Sequence, residues 1–371
     1  MQLPVYKTLQ EKKEHFQIIQ INTIDEFNLF FNSHRESKGI YRGISSATYK
    51  IYTSLQRQNI LNNVDNFSIS NYISRVRREP LIKKYFELFK IAPSKLSFWS
   101  YLQHYGAPTP YIDFTLDIKK ALYFAIEDFD IAKYECKNDE LLDRFSLFYL
   151  DKTNLDLISI DKVFESFKKY KQLSTEMFES YSEEGDDYDY DSLIEHFDKM
   201  FDINILEVFL IEHNENFLDI YNTYNNIRIV AQDGLFINNS YDLLPLEEAL
   251  KKFFIIATQY QHSPWDELDT PQAREINDEY QENLEKNREF QKRLDKNIMV
   301  SYDIKKELIP QIKELINIDK KDIYPNQSEL VWKIYKEVEN KSINVTISTN
   351  SKSLFSLIQE KLLNLWQKIK L

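Results

Sequence analysis

Apolar residues recur along this chain with two periods, about two residues and about three and a half, and the switches between them lay out strands and helices in turn. FQIIQI (residues 16–21) has the pattern of a strand. Thr23 and Glu26 then stand at capping-box spacing ahead of IDEFNLFFNSHR, which predicts a helix with Ile24, Phe27, Phe30 and Phe31 on its buried side. That helix ends near Gly39, and GIYRG reads as a short strand running into a turn. Residues 67–90 are helical, in one piece or in two divided at Pro80. Ser94 is a good N-cap for KLSFWSYLQHY, whose Leu96, Trp99, Leu102 and Tyr105 recur at helical spacing. Gly106 falls where a glycine closes a helix, and Pro108 prevents its continuation. Residues 111–114 read as a strand. LDIKKALYFAIEDF follows as a helix, with Ile118, Leu122, Ala125 and Phe129 on one face and Ala121 and Phe124 alongside.

Further strands are expected at 146–150 (SLFYL), 205–211 (ILEVFLI), 227–231 (IRIVA), 253–257 (FFIIA), 298–302 (IMVSY) and 343–348 (INVTIS), with helices between most of them. Residues 270–295 are charged enough for a helix facing solvent or a partner. The final helix, SKSLFSLIQEKLLNLWQKIKL, carries Leu354, Leu357, Ile358, Leu362 and Trp366 as a stripe that docks on the body. With no internal repeat and no clear linker, the pattern predicts one large mixed α/β domain, a sheet core flanked by helices. Its expected limits are a lead-in over 1–22, the domain over 23–340 with a polar insertion near 180–200, and a strand and docking helix over 341–371.

Composition adds exclusions. Hydrophobic residues make up 43% of the chain and aromatics 14%, which is globular rather than disordered. The net charge of −12 argues against a nonspecific DNA or anionic-membrane binder. Cys136 is the single cysteine, so neither an internal disulfide nor a thiolate metal cluster can form, in keeping with a reducing cytoplasm. No stretch has the apolar length of a signal peptide core or a membrane span, so a cytoplasmic protein with no membrane partner is expected.

Glycine is scarce. Average usage of ~7% gives about 26 in a chain this long, yet there are five. Gly185 lies in an acidic loop; the other four fall in KGIYRG (38–43), HYGAP (104–108) and AQDG (231–234). Each cluster carries candidate chemistry. Arg42, beside Gly43, offers a guanidinium fork for phosphate oxygens or a structural ion pair to Asp113. His104 sits at a helix C-terminus, where the dipole favours imidazolium, and fits either acid–base work or capping. Asp113 and Thr115 precede a helix, with Thr115 a natural N-cap. Gln232 fits an amide or ribose edge, or a tie to backbone, and Arg228 is expected on the same side of the same strand. The six histidines show no metal spacing, so no metal is expected.

Taken in order, IYRG, TSLQR, YLQHYGAPTPYIDFTLDIKKALYFAIE and RIVAQDGLF resemble the FRG domain family, named for its Phe/Tyr-Arg-Gly motif. The matching positions are Tyr41-Arg42-Gly43, Ser54-Leu55 with Arg57, Gln103-His104 with Gly106, Pro108-Thr109, Asp113-Phe114-Thr115, Ala121-Leu122 with Phe124-Ala125, and Arg228-Ile229 with Gln232, Gly234 and Phe236. Thr53 stands where the family usually has proline, and Pro110 where it has Arg or an aliphatic residue. IYRG and DFTLDIKKALYFA also look like the first two elements of ADP-ribosyltransferases of the arginine–serine–glutamate type. That weaker likeness implies an ADP-ribosyltransferase-like core binding NAD+ or a related nucleotide. Tyr41, Arg42, Gly43, Thr109, Thr115 and Arg228 would then hold the cofactor, with His104, Asp113 and Gln232 at the reacting end. Gln232 stands in place of the expected glutamate and cannot supply its charge. By analogy the protein would act in bacterial conflict, as a toxin or phage-defence effector, on a protein or nucleic-acid acceptor. Two other readings are a non-catalytic module holding a nucleotide or polar peptide, and a hydrolase or nuclease using His104 with Asp113.

Overall fold

The computed structural model describes residues 2–62, 69–155, 158–162, 164–165, 198, 207–257, 278, 285 and 298–326. Seven strands lie in one sheet: β1 (Gln17–Ile21), β2 (Gly39–Ile44), β3 (Tyr111–Thr115), β4 (Arg144–Asp151), β5 (Val208–Ile211), β6 (Gly234–Asn239) and β7 (Met299–Lys305). Their order is β1-β7-β4-β2-β3-β6-β5. Only β1 and β7 are parallel, so the sheet is mixed, as predicted.

Helices cover both faces because strand side chains alternate between them. The first four helices are α1 (Leu9–Lys13), α2 (Ile24–His34), α3 (Ser54–Asn62) and α4 (Ile69–Arg78). Next come α5 (Pro80–Leu88), α6 (Lys95–His104), α7 (Ile118–Ile126) and α8 (Ile227–Ala231), then α9 (Leu246–Ala257), α10 (Ile309–Ile316) and α11 (Lys320–Ile323). Ile40, Ile112, Phe114, Phe148, Leu150 and Ile237 point to one face, packed with Tyr6 and Phe16 and with Leu246, Ala249 and Leu250 of α9. On the other face, Tyr41, Phe145, Leu147 and Ile304 pack with α2, α7 and α10. Tyr111, Phe209 and Phe236 on that same side pack with Trp99 and Leu102 of α6 and Ile229 of α8.

Local signals account for most element ends. Thr23 and Glu26 make the reciprocal capping box of α2, Pro80 opens α5 at its first turn, and Ser94 caps α6 by accepting from Ser97 N. Gly106 closes α6 with φ +76°. Two expected strands are helical. IRIVA forms α8, because Asn226 caps it by accepting from Arg228 N. FFIIA is the end of α9, extending the helical spacing of Leu246, Ala249 and Leu250. Tyr105, expected on the buried stripe of α6, is its C-cap and 61% exposed. Phe129 lies just past the end of α7.

Residues Met1–Ile323 form one compact unit; a second, Tyr324–Leu371, is described only as far as 326. Most of the polar insertion, the 270–295 helix, the 343–348 strand and the last helix lie outside the described residues. Among the described residues no helix is long and apolar enough to cross a membrane.

Candidate functional site

Strand β2 is held unequally by its neighbours. It pairs with β4 from Gly39 to Ile44, but with β3 only where Tyr41 meets Thr115. Its alternation turns Tyr41 and Gly43 toward α7 and Arg42 the other way. A Cβ at Gly43 would lie 1.9 Å from the Ala121 carbonyl oxygen, so this glycine serves close packing of α7 on the strand rather than approach of a ligand. Tyr41 is equally structural. It is buried, its hydroxyl donates to the His34 carbonyl at 3.3 Å, and burial pushes its pKa up to about 12.

Arg42 occupies the place where the β2–β3 ladder does not continue. Its Nη1 donates to the Asp113 carbonyl oxygen at 2.6 Å, while its Nε is buried without a hydrogen-bond partner. Burial lowers the Arg42 pKa to about 10, with Asp113 opposing and Arg57 adding to the effect, so the guanidinium stays charged at neutral pH. The ion pair anticipated between Arg42 and Asp113 is not formed, since the bond goes to main chain. The Asp113 carboxylate instead accepts from Gln103 Nε2 at 2.7 Å. Gln103 Oε1 in turn accepts from the Thr109 hydroxyl.

Thr109, a sequence candidate for cofactor contact, is fully buried and spent within the fold. Its N–H donates to Ser54 Oγ at 2.9 Å, its hydroxyl accepts from Tyr111 N at 3.2 Å, and its carbonyl accepts from Leu55 N at 3.1 Å. These bonds tie the start of α3 to the loop before β3. Arg57, on α3, donates to the Tyr52 carbonyl at 3.3 Å. Burial lowers its pKa, with the Asp113 charge opposing.

His104 is the last residue of α6. The helix dipole favours imidazolium there, but burial outweighs it and lowers the His104 pKa, Asp113 opposing and Arg228 adding to the drop. The neutral ring lies 5.6 Å from Phe236, and its Nε2 is buried without a partner. Electrostatic coupling links the Asp113 charge to Arg42, Arg57 and His104.

The remaining candidates meet at a second corner. The Thr115 hydroxyl donates to the Gln232 carbonyl at 2.6 Å and accepts from Asp117 N at 3.1 Å. The N-cap of α7 is therefore Asp117, which accepts from Lys119 N at 2.8 Å, and not Thr115. Gln232 ends α8, and its Nε2 donates to the Ile323 carbonyl at 3.3 Å. Arg228 shares a side with Gln232, but by the turn of a helix, which also brings residues four apart together. Arg228 is exposed and reaches the His104 carbonyl at 3.3 Å, joining the two corners. Asp233 is left-handed at φ 45° and pairs with Lys120.

Two residues of the cluster, Arg57 and Gln103, were not among the sequence candidates. Both stand inside the quoted motifs, but strand and helix periods give no sign that α3 and α6 converge on one aspartate.

The helix-flanked mixed sheet thus holds a buried arginine against the main chain of an aspartate, at the place where two strands part. The chain carries an FRG domain: the FRG domain model matches residues 37–133. That span holds Arg42, Arg57, Gln103, His104, Thr109, Asp113 and Thr115, and ends well before Arg228 and Gln232. No curated protein matches the chain, and no solved structure does.

Proposed function

We propose that this FRG-domain protein binds NAD+ or a related nucleotide, with the diphosphate received by Arg42 and Arg57 beside Asp113. The observation carrying this reading is the charge balance of the cluster. Two desolvated guanidinia feel the charge of one carboxylate that pairs with neither of them, and Arg42 keeps a buried Nε with no partner. A buried donor left unpaired costs about 1–3 kcal/mol, which a bound phosphate oxygen removes. Arginine also matches phosphate oxygens in bidentate fashion.

The support is stronger for binding than for transfer. Cleaving the nicotinamide bond calls for a carboxylate to stabilise an oxocarbenium-like transition state. Among the described strands none carries a glutamate, and the one acid in the cluster, Asp113, has its charge drawn on by Gln103, Arg42 and Arg57. A role as an ADP-ribosyltransferase-like effector in bacterial conflict, acting on a protein or nucleic acid, follows only if that step occurs. A second reading has one observation in its favour. His104 is held neutral with Nε2 unpartnered beside Asp113, the state of a general base in a hydrolase.

Thermal unfolding with NAD+, ADP-ribose or inorganic pyrophosphate tests the binding step. The wild-type midpoint should rise, since a ligand at 100 times its Kd adds about 2.7 kcal/mol, and Arg42→Gln and Arg57→Gln should each diminish the rise. No shift with any of the three sinks the proposal. Nicotinamide release then separates transfer from simple binding. Hydrolysis of a nucleotide or nucleic acid that is lost in His104→Asn would favour the second reading.

A further inference from the structure

We infer that Gln103 is a positioning residue that keeps the Asp113 carboxylate from neutralising the arginines, leaving their charge for an incoming anion. This rests on the nucleotide reading of the site above. A carboxylate beside a guanidinium ordinarily takes it in a bidentate ion pair. Asp113 lies close enough to Arg42 and Arg57 to act on both electrostatically, yet among the described residues neither arginine forms an ion pair with it. What it has instead is Gln103, whose Nε2 donates to its Oδ2 at 2.7 Å.

The orientation of that amide is dictated by its neighbours. A carboxylate can only accept, so Gln103 must present its NH2 group to Asp113 and its oxygen to Thr109. The Thr109 hydroxyl accepts from Tyr111 N at 3.2 Å and spends its proton on Gln103 Oε1. Thr109 is itself fixed through Ser54 at the start of α3, at 2.9 Å. The chain Ser54–Thr109–Gln103–Asp113 therefore spans α3, α6 and β3 and ends on the carboxylate. Arg42 is left with a main-chain acceptor for Nη1 and nothing for Nε.

Two measurements test this, and each fails separately. A crystal structure of Gln103→Ala should place the Asp113 carboxylate in an ion pair with Arg42 or Arg57. Titration calorimetry with inorganic pyrophosphate should show Gln103→Ala weaker than wild type by about tenfold or more, the scale of one lost charged hydrogen bond. Adding Asp113→Asn to Gln103→Ala should restore most of that affinity, since the competing charge is gone. Mere loosening of the fold would not be repaired that way. A Gln103→Ala structure with Asp113 still off both arginines overturns the inference, as does an unchanged affinity. Wild type that does not bind pyrophosphate overturns the nucleotide reading, and with it the anion-sparing purpose assigned to Gln103, while the crystal structure still decides what holds Asp113.

Discussion

A methyl group added at Gly43 would come within 1.9 Å of the Ala121 carbonyl oxygen and 2.9 Å of the Ala125 Cβ, both on α7. Neither atom can give way without lifting the helix from the strand. At Gly106, a Cβ would meet nothing within 4 Å, and the only obstacle is the φ of +76°. Gly43→Ala should therefore cost about 1–3 kcal/mol or more by overpacking, and Gly106→Ala about 1–2 kcal/mol of left-handed strain. Urea unfolding of the two variants checks the order, and a Gly106→Ala variant less stable than Gly43→Ala would contradict it. Scarcity of glycine drew attention to both positions, and each has a structural use, close packing at Gly43 and a left-handed φ at Gly106. It could not say why, because contact with a helix seventy-odd residues away leaves no local pattern. The same limit applies to Arg42: its motif singled it out, but its partner proved to be a carbonyl oxygen rather than the Asp113 side chain.

Elements with a cap or a breaker of their own were the legible ones. The T-x-x-E box, Pro80, Ser94 and Gly106 each fix one end of a helix through a bond or a clash within a few residues. FFIIA had no such guide, since five apolar residues in a row suit a buried strand and a buried helix alike, and in IRIVA the deciding signal was the Asn226 cap just ahead of it rather than the apolar pattern. Helix α1 was hidden for the opposite reason, because LQEKK reads as a solvated stretch. Its Lys12 is fully buried on the sheet, with Nζ 2.7 Å from Asp303 Oδ1 and 2.9 Å from Ser146 Oγ. Ser146 and Ser301 each donate to the same Asp303 oxygen at 2.7 Å. The Lys12 ammonium also lies 5.8 Å and 5.5 Å from the centres of the Phe16 and Phe148 rings. This polar knot pins the N-terminal segment to β4 and β7. Lys12→Ala should cost about 3–5 kcal/mol, because it strands a buried carboxylate. The double variant with Asp303→Asn should recover part of the loss in urea unfolding. Recovery of none would mean that Lys12 acts by packing alone.

Across the whole molecule, burial sets the response to acid. His15, His34, His104 and His213, the four histidines among the described residues, all have their pKa values lowered, burial being the largest cause in each. His34 makes the reason concrete. Its Nδ1 lies 3.0 Å from the Phe30 carbonyl, so Nδ1 carries the proton, and Nε2 accepts from the Tyr302 hydroxyl at 2.9 Å. That arrangement is built for the neutral ring. Below the ordinary histidine pKa of ~6.5 the unfolded chain takes up protons that the folded one refuses, so stability is full above that pH and is lost as pH falls through it. Glu247 and Asp198 work in the opposite direction. Burial raises their pKa values, so their charged forms weaken the fold at neutral pH and acid relieves that strain. Among the described residues four histidines act against two carboxyls, and the urea midpoint should be lower at pH 5.5 than at 7.5. His34→Gln, which keeps a hydrogen-bonding side chain but cannot titrate, should lessen that fall while lowering stability somewhat at both pH values. A midpoint that rises on acidification would mean the buried carboxyls dominate. A slope unchanged in His34→Gln would mean that this histidine is as easily protonated in the fold as in the open chain.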